Sequence, residues 1–96
     1  MSPKKKNGLT EDAQAVLEFL NLLTNKNYRL KNPNGKLTAN GEIIIARLRD
    51  GYETEVLTQV IAERNQEWAG TDMAKYLRPV TLFNKTKFAQ YVGSVE

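Results

Sequence analysis

Apolar residues recur at helical spacing in three separate stretches of this chain, and each stretch is closed by residues that a helix does not carry through. Between residues 10 and 25, Ala13, Val16, Leu17, Leu20, Leu23 and Thr24 fall on one arc at about 100° per residue. Thr10 ahead of Glu11 and Asp12 reads as an N-cap with an acidic first turn, and the helix is expected to end near Asn25. Phe19 and Leu22 lie off that arc; the reading favours a widened buried face, with a contact surface as the alternative. From Thr38 to Asp50, Leu37, Gly41, Ile44, Ile45 and Leu48 share a face, with Arg47 and Arg49 at its two sides, Ile43 off it and Gly51 as the stop. From Thr54 to Trp68, Val56, Leu57, Val60, Ile61 and Trp68 form a third apolar face, with Arg64 in its middle and Gly70 beyond its end. A snorkelling or ion-paired side chain is the favoured reading of Arg64.

The punctuation between these stretches sets the rest of the chain. Residues 25 to 36, NKNYRLKNPNGK, hold turn chemistry, and the short arms on either side of NPNG form either a small β-hairpin near residues 28–38 or an irregular basic loop. Thr71 and Asp72 are expected to cap a short turn through Leu77. Pro79 suits the first turn of a further short helix with Arg78 extended ahead of it. After Asn84, a last helix of about two turns carries Phe88, Tyr91 and Val92. The fold class is therefore mainly α, a compact small helical domain of five or six short helices. Residues 1–9 are read as a basic flexible arm, 10–93 as a single domain and 94–96 as a tail.

Composition excludes more than it selects. Apolar residues at 41% and charged residues at 26% match an ordinary folded domain, and 96 residues allow one modest core. No apolar run approaches the roughly 20 residues of a membrane span, and the KKK start is not followed by the core of a signal peptide. Cysteine is absent, which fits a reducing cytoplasm. Histidine is absent too, so the commonest side chains for metal ligation and for proton transfer near neutral pH are missing. Glu53 with Glu55 and Glu63 with Glu67 read as solvated helix faces rather than catalytic dyads, and NPNGK lacks the remaining glycine and the hydroxyl of a phosphate loop. No enzyme, cofactor or metal is expected.

Charge is segregated by sign. Lys26, Arg29, Lys31 and Lys36 lie in one stretch with no acid among them, whereas Asp50, Glu53, Glu55, Glu63 and Glu67 face only Arg64 within residues 50–68. Such a molecule can offer one face to a polyanion and another to a protein. Solvated charge on a helical protein is the bland alternative.

The ordered series NYRL at 27–30, IIARLRDGYETEVLTQVI at 44–61, Trp68 with Gly70, KYLRPVTLF at 75–83 and KFAQYV at 87–92 resembles the conserved phage C-terminal domain. That module ends many phage replisome organiser and replication initiator proteins, and the likeness covers about residues 13 to 92. A more distant similarity is to the C-terminal domain of DnaD-like primosome proteins. The resemblance implies a helical module that helps assemble a phage or prophage replisome. A winged-helix or similar region usually precedes it; none is read in these 96 residues, so origin recognition is not expected of them.

From the residues themselves, Tyr76, Leu77, Leu82, Phe83, Phe88 and Tyr91 are expected to close the core against Val60, Ile61 and Trp68, with Pro79 setting the corner between two short helices. Arg78 either holds helix C-terminal carbonyls, pairs with a carboxylate or meets a phosphate, with a structural role favoured. The functional expectation is DNA binding with little sequence preference through Lys26, Tyr28, Arg29, Lys31 and Lys36, with Arg47, Arg49, Lys85 and Lys87 as neighbours. Single strands are slightly favoured. Glu53, Glu55 and Glu63 are the candidate contacts for a helicase, helicase loader or other replisome protein. The alternative is an adaptor or a small phage-borne inhibitor of a host protein that does not bind DNA.

Overall fold

The computed structural model describes residues 8–95. Helix α1 spans Gly8–Thr24, α2 Ala39–Arg49, α3 Thr54–Trp68, α4 Pro79–Leu82 and α5 Lys85–Val95, with a 3₁₀ helix at Asp72–Tyr76 before α4. The chain is thus mainly α, as its apolar periodicity requires. Among the described residues no helix is long and apolar enough to cross a membrane.

The first helix starts earlier than its hydroxyl suggested. Gly8 and Leu9 already belong to α1, so Thr10 is not its N-cap, and the remainder of the expected arm lies outside the described residues. Thr38 does cap α2, accepting from the Gly41 amide through its hydroxyl. The last helix runs about three turns rather than two, through Ser94 and Val95. The hairpin reduces to a single antiparallel bridge between Lys31 and Leu37 around the turn at Asn32–Gly35. Its arms lack the alternation that would give a sheet a buried face.

The core is one cluster. Ala13, Val16, Leu17 and Leu20 of α1 meet Ile44, Ile45 and Leu48 of α2 and Leu57, Val60 and Ile61 of α3, and α1 packs on both partners. Leu77, Leu82, Phe83, Phe88 and Val92 close it from the C-terminal side, where α5 lies on α3 and α4 on α2. Phe88 sits edge-on to both Phe83 and Tyr52, at centroid distances of 5.5 and 4.8 Å. Pro79 is buried at the first position of α4 and Arg78 before it is extended. Phe19 and Ile43 are half-buried against the core, so those off-face residues widen it. Leu22 does not; it is 82% exposed, and Leu23, assigned to the buried arc, is 39% exposed where α1 runs past α3.

The loop of residues 25–37 is tied by hydrogen bonds to the helices it joins. Asn25 takes a left-handed conformation at φ 59°, which asparagine tolerates better than most residues, and the Lys26 amide closes the end of α1 on the Asn21 carbonyl at 3.1 Å. The Asn21 amide side chain then holds Tyr28 twice, donating to its carbonyl and accepting from its N–H, each at 2.9 Å. Further on, the Thr38 hydroxyl donates to the Arg29 carbonyl and its amide to the Leu30 carbonyl. Leu30 is thereby laid on Gly41, where any Cβ would run into the Leu30 carbonyl. Gly41→Ala is expected to lower the unfolding free energy by about 1–3 kcal/mol through this overpacking. A lower urea midpoint at unchanged slope would record it.

Candidate nucleic-acid interface

The extended segment after α1 carries Lys26, Arg29 and Lys31 on the surface, and Lys36 stands exposed at the turn beyond them. The chain folds this segment against the 3₁₀ helix. The Tyr28 hydroxyl donates to the Leu77 carbonyl at 3.3 Å, and Lys26 lines one cleft with Lys75, Ala74 and Leu77. Two basic stretches separated by almost 50 positions therefore meet at the surface. Burial raises the Tyr28 phenol above its ordinary value, and the positive charge of Arg78 nearby pulls it back in part.

Next to this seam stands Tyr76. It was expected to close the core, yet it is half-buried and not among the aromatics packed on the core cluster. The 3₁₀ geometry explains the difference. Residues three apart eclipse one another in such a helix, so Tyr76 shares its side with exposed Met73, while Ala74 and Leu77 share the inner one. The Lys75 ammonium and the Arg78 guanidinium lie 5.4 and 5.8 Å from the centre of the Tyr76 ring. Arg78 donates to the Thr81 hydroxyl at 3.0 Å and is otherwise exposed. Among the described residues it binds neither a helix-end carbonyl nor a carboxylate. Nothing in the sequence marked Lys75 as part of the site; a lysine adjoining an aromatic in a short turn was the one available signal.

Several cations singled out from sequence lie elsewhere. Arg47 is only 8% exposed, because its place at the edge of the apolar face is covered by α4. Its guanidinium donates to the Phe83 carbonyl at 3.2 Å and pairs with Asp50 at 3.1 Å. That removes it from the exposed cations. Lys85 lines a cleft with Arg47, Asp50 and Tyr52 at the C-terminal end of α2, about 16 Å of helix away from the loop anchored at its N-terminal end. Lys87 follows it on the exposed first turn of α5, and Arg49 is exposed in the last turn of α2. These three do not join the loop cations.

The acidic stretch is partly neutralised. Arg64 pairs with Glu63 and Glu67 at 3.5 and 3.3 Å, and its guanidinium lies 5.6 and 5.0 Å from the rings of Trp68 and Tyr91. Glu67 is well exposed, so its pair is worth at most about 1 kcal/mol, and the two aromatic contacts contribute at least as much to holding Arg64 in place. Glu63 also accepts from the Ser94 hydroxyl at 2.8 Å, whereas Glu53 and Glu55 stand exposed at the start of α3. The three predicted partner contacts are therefore split. Glu63 is more than two helical turns from Glu55 and already engaged.

A small helical module with a cationic, aromatic-bearing seam is thus the class of protein that fold and surface define. A family model described as conserved phage C-terminus matches residues 16–93, and the chain belongs to that family. Neither a curated protein nor a solved structure matches the chain.

The raised Tyr28 phenol has a consequence for stability. A group held more tightly protonated in the folded state contributes fully below its unfolded value, near pH 10 for tyrosine, and the contribution is lost as pH rises through the folded value. Between about pH 9 and 11 the urea midpoint of the wild-type chain is expected to fall more steeply than that of Tyr28→Phe. Parallel curves would mean that Tyr28 does not contribute.

Proposed function

We propose that this chain is a binding module rather than an enzyme, serving phage or prophage DNA replication as an accessory and holding DNA with little sequence preference. The observation that carries this reading is the meeting of the basic loop with the 3₁₀ segment, which brings Lys26 to Lys75 across one cleft and sets Lys75 and Arg78 beside Tyr76, with Arg29 exposed on the adjoining loop. Phosphate contacts from such groups supply sequence-tolerant affinity, and the uncovered part of a half-buried ring such as Tyr76 offers a stacking surface. Membership of the conserved phage C-terminus family supports the phage context. The replisome-organiser role is the reading that this context and the surface chemistry fit best.

A second face favours docking of a replisome protein such as a helicase or helicase loader. Glu53 and Glu55, on either side of Thr54, are exposed at the start of α3, and among the described residues the Glu55 carboxylate meets only the neighbouring Thr54 hydroxyl. A basic partner surface is the natural complement.

Fluorescence anisotropy with labelled oligonucleotides across a salt series tests the first face. The wild-type chain is expected to bind saturably and to weaken steeply with salt. Reversing Arg29, Lys31 and Lys36 to glutamate should abolish binding at moderate salt and, for single strands, reduce the log–log salt slope by about 2. Unchanged affinity would take the loop out of the interface. For the second face, neutralising Glu53 and Glu55 should weaken capture of a purified replicative helicase or loader and leave DNA affinity unchanged. Capture that persists would remove that face.

A further inference from the structure

Four of the clefts among the described residues differ in the charge of their walls. The largest, an open groove of about 650 Å³ between α1 and Tyr28–Lys31, sets Glu11 and Glu18 opposite Arg29 and Lys31. Asp50 stands in the cleft by Arg47 and Glu63 in the one by Val95. The fourth, about 410 Å³ between the end of α1 and the 3₁₀ helix, has Lys26 and Lys75 as its charged residues and no carboxylate. Its volume lies in the range of small-ligand pockets, roughly 300–1,000 Å³.

The walls of that cleft have the chemistry of a base site. Leu23, Ala74 and Leu77 offer apolar surface, and Leu23 is a partly exposed leucine with no core role at that edge. Asn65, half-buried in the wall, carries a side-chain amide free of hydrogen bonds among the described residues, so it has both a donor and an acceptor to offer. Lys26 and Lys75 come from different elements and flank the opening. Tyr76 is not one of the cleft's walls, but the Lys75 ammonium on the rim lies 5.4 Å from the centre of the Tyr76 ring, which stands outside the core with Arg78 as its second cation.

We infer that this cleft takes one unstacked base of a single-stranded DNA, with flanking phosphates on Lys26 and Lys75 and a neighbouring base on Tyr76. The proposal deepens the DNA-binding reading above and rests on it. An apolar cleft rimmed by cations alone calls for an occupant that is apolar on its faces and anionic along its backbone, and a single strand is both. In a duplex the base faces are stacked on one another and cannot enter. Asn65 would meet the base edge, and such a contact tolerates several bases because an amide can donate or accept.

Anisotropy with a labelled oligothymidine, the same-length duplex and a single strand carrying 2-aminopurine tests the assignment, using the whole chain. The wild-type protein should bind the single strand more tightly than the duplex and change 2-aminopurine emission on binding. Tyr76→Ala should weaken single-strand affinity by about 5- to 100-fold at constant salt and weaken duplex affinity much less. The double variant Lys26→Ala, Lys75→Ala changes only exposed positions, so it keeps the test decisive if Tyr76→Ala fails to fold, and it should likewise lose the single-strand preference. Equal affinity for both forms overturns the cleft assignment, and so does full single-strand binding by both variants. If reversal of the loop residues still abolishes binding in those cases, the DNA-binding reading stands without the cleft. No DNA binding by the wild-type chain at low salt overturns both.

Discussion

The approach of the Leu30 backbone to Gly41 is the contact on which the surface of this protein depends. A loop that holds four asparagines, a proline and a glycine has no periodic reason to lie down on a helix. It does so because Gly41 leaves space for the Leu30 carbonyl and because the Thr38 hydroxyl and amide hold the carbonyls of Arg29 and Leu30. Asn21 performs the same task from α1 by bonding both backbone groups of Tyr28. With both anchors made, Tyr28 reaches the Leu77 carbonyl and Lys26 stands across a cleft from Lys75. The basic surface is a product of backbone satisfaction in a loop rather than of any one cationic helix.

The arginines divide by what covers them. Arg47 and Arg64 are nearly buried, one on the Phe83 carbonyl and Asp50, the other between Trp68, Tyr91 and two glutamates. Each carries its charge on a planar group that aromatic rings or carbonyls accommodate more readily than they would a lysine. Arg29, Arg49 and Arg78 remain at the surface, and of these Arg78 adjoins both tyrosines of the seam. The same division softens the acidic stretch, since Asp50, Glu63 and Glu67 have arginine partners, whereas among the described residues Glu53 and Glu55 have none.

Under the proposed function, the two faces of this member of the conserved phage C-terminus family would hold nucleic acid and a protein together. The cationic seam and the exposed acidic start of α3 are built from different elements, so each can be altered without dismantling the other. The core beneath them is ordinary in composition. Its specificity lies in the corners, at Pro79, at Gly41 and at the 3₁₀ turn, which decide where the chain emerges.

Helix number and type were legible because apolar periodicity reports directly on which side of a helix must leave water, and α2, α3 and the corner at Pro79 lie where the pattern put them. Leu82, Phe83 and Phe88 were recognisable as core for the same reason. The site was legible only in part. Tyr28 and the loop cations stand out in sequence, but Arg47 differs from Arg49 solely in having α4 laid over it, and Tyr76 faces outward because its turn is 3₁₀ and not α. Sequence by itself determined a mainly helical domain with separated charges, since those properties are local or additive along the chain. Only the tertiary structure decided which cations share a surface, because that depends on contacts between residues as far apart as Tyr28 and Leu77.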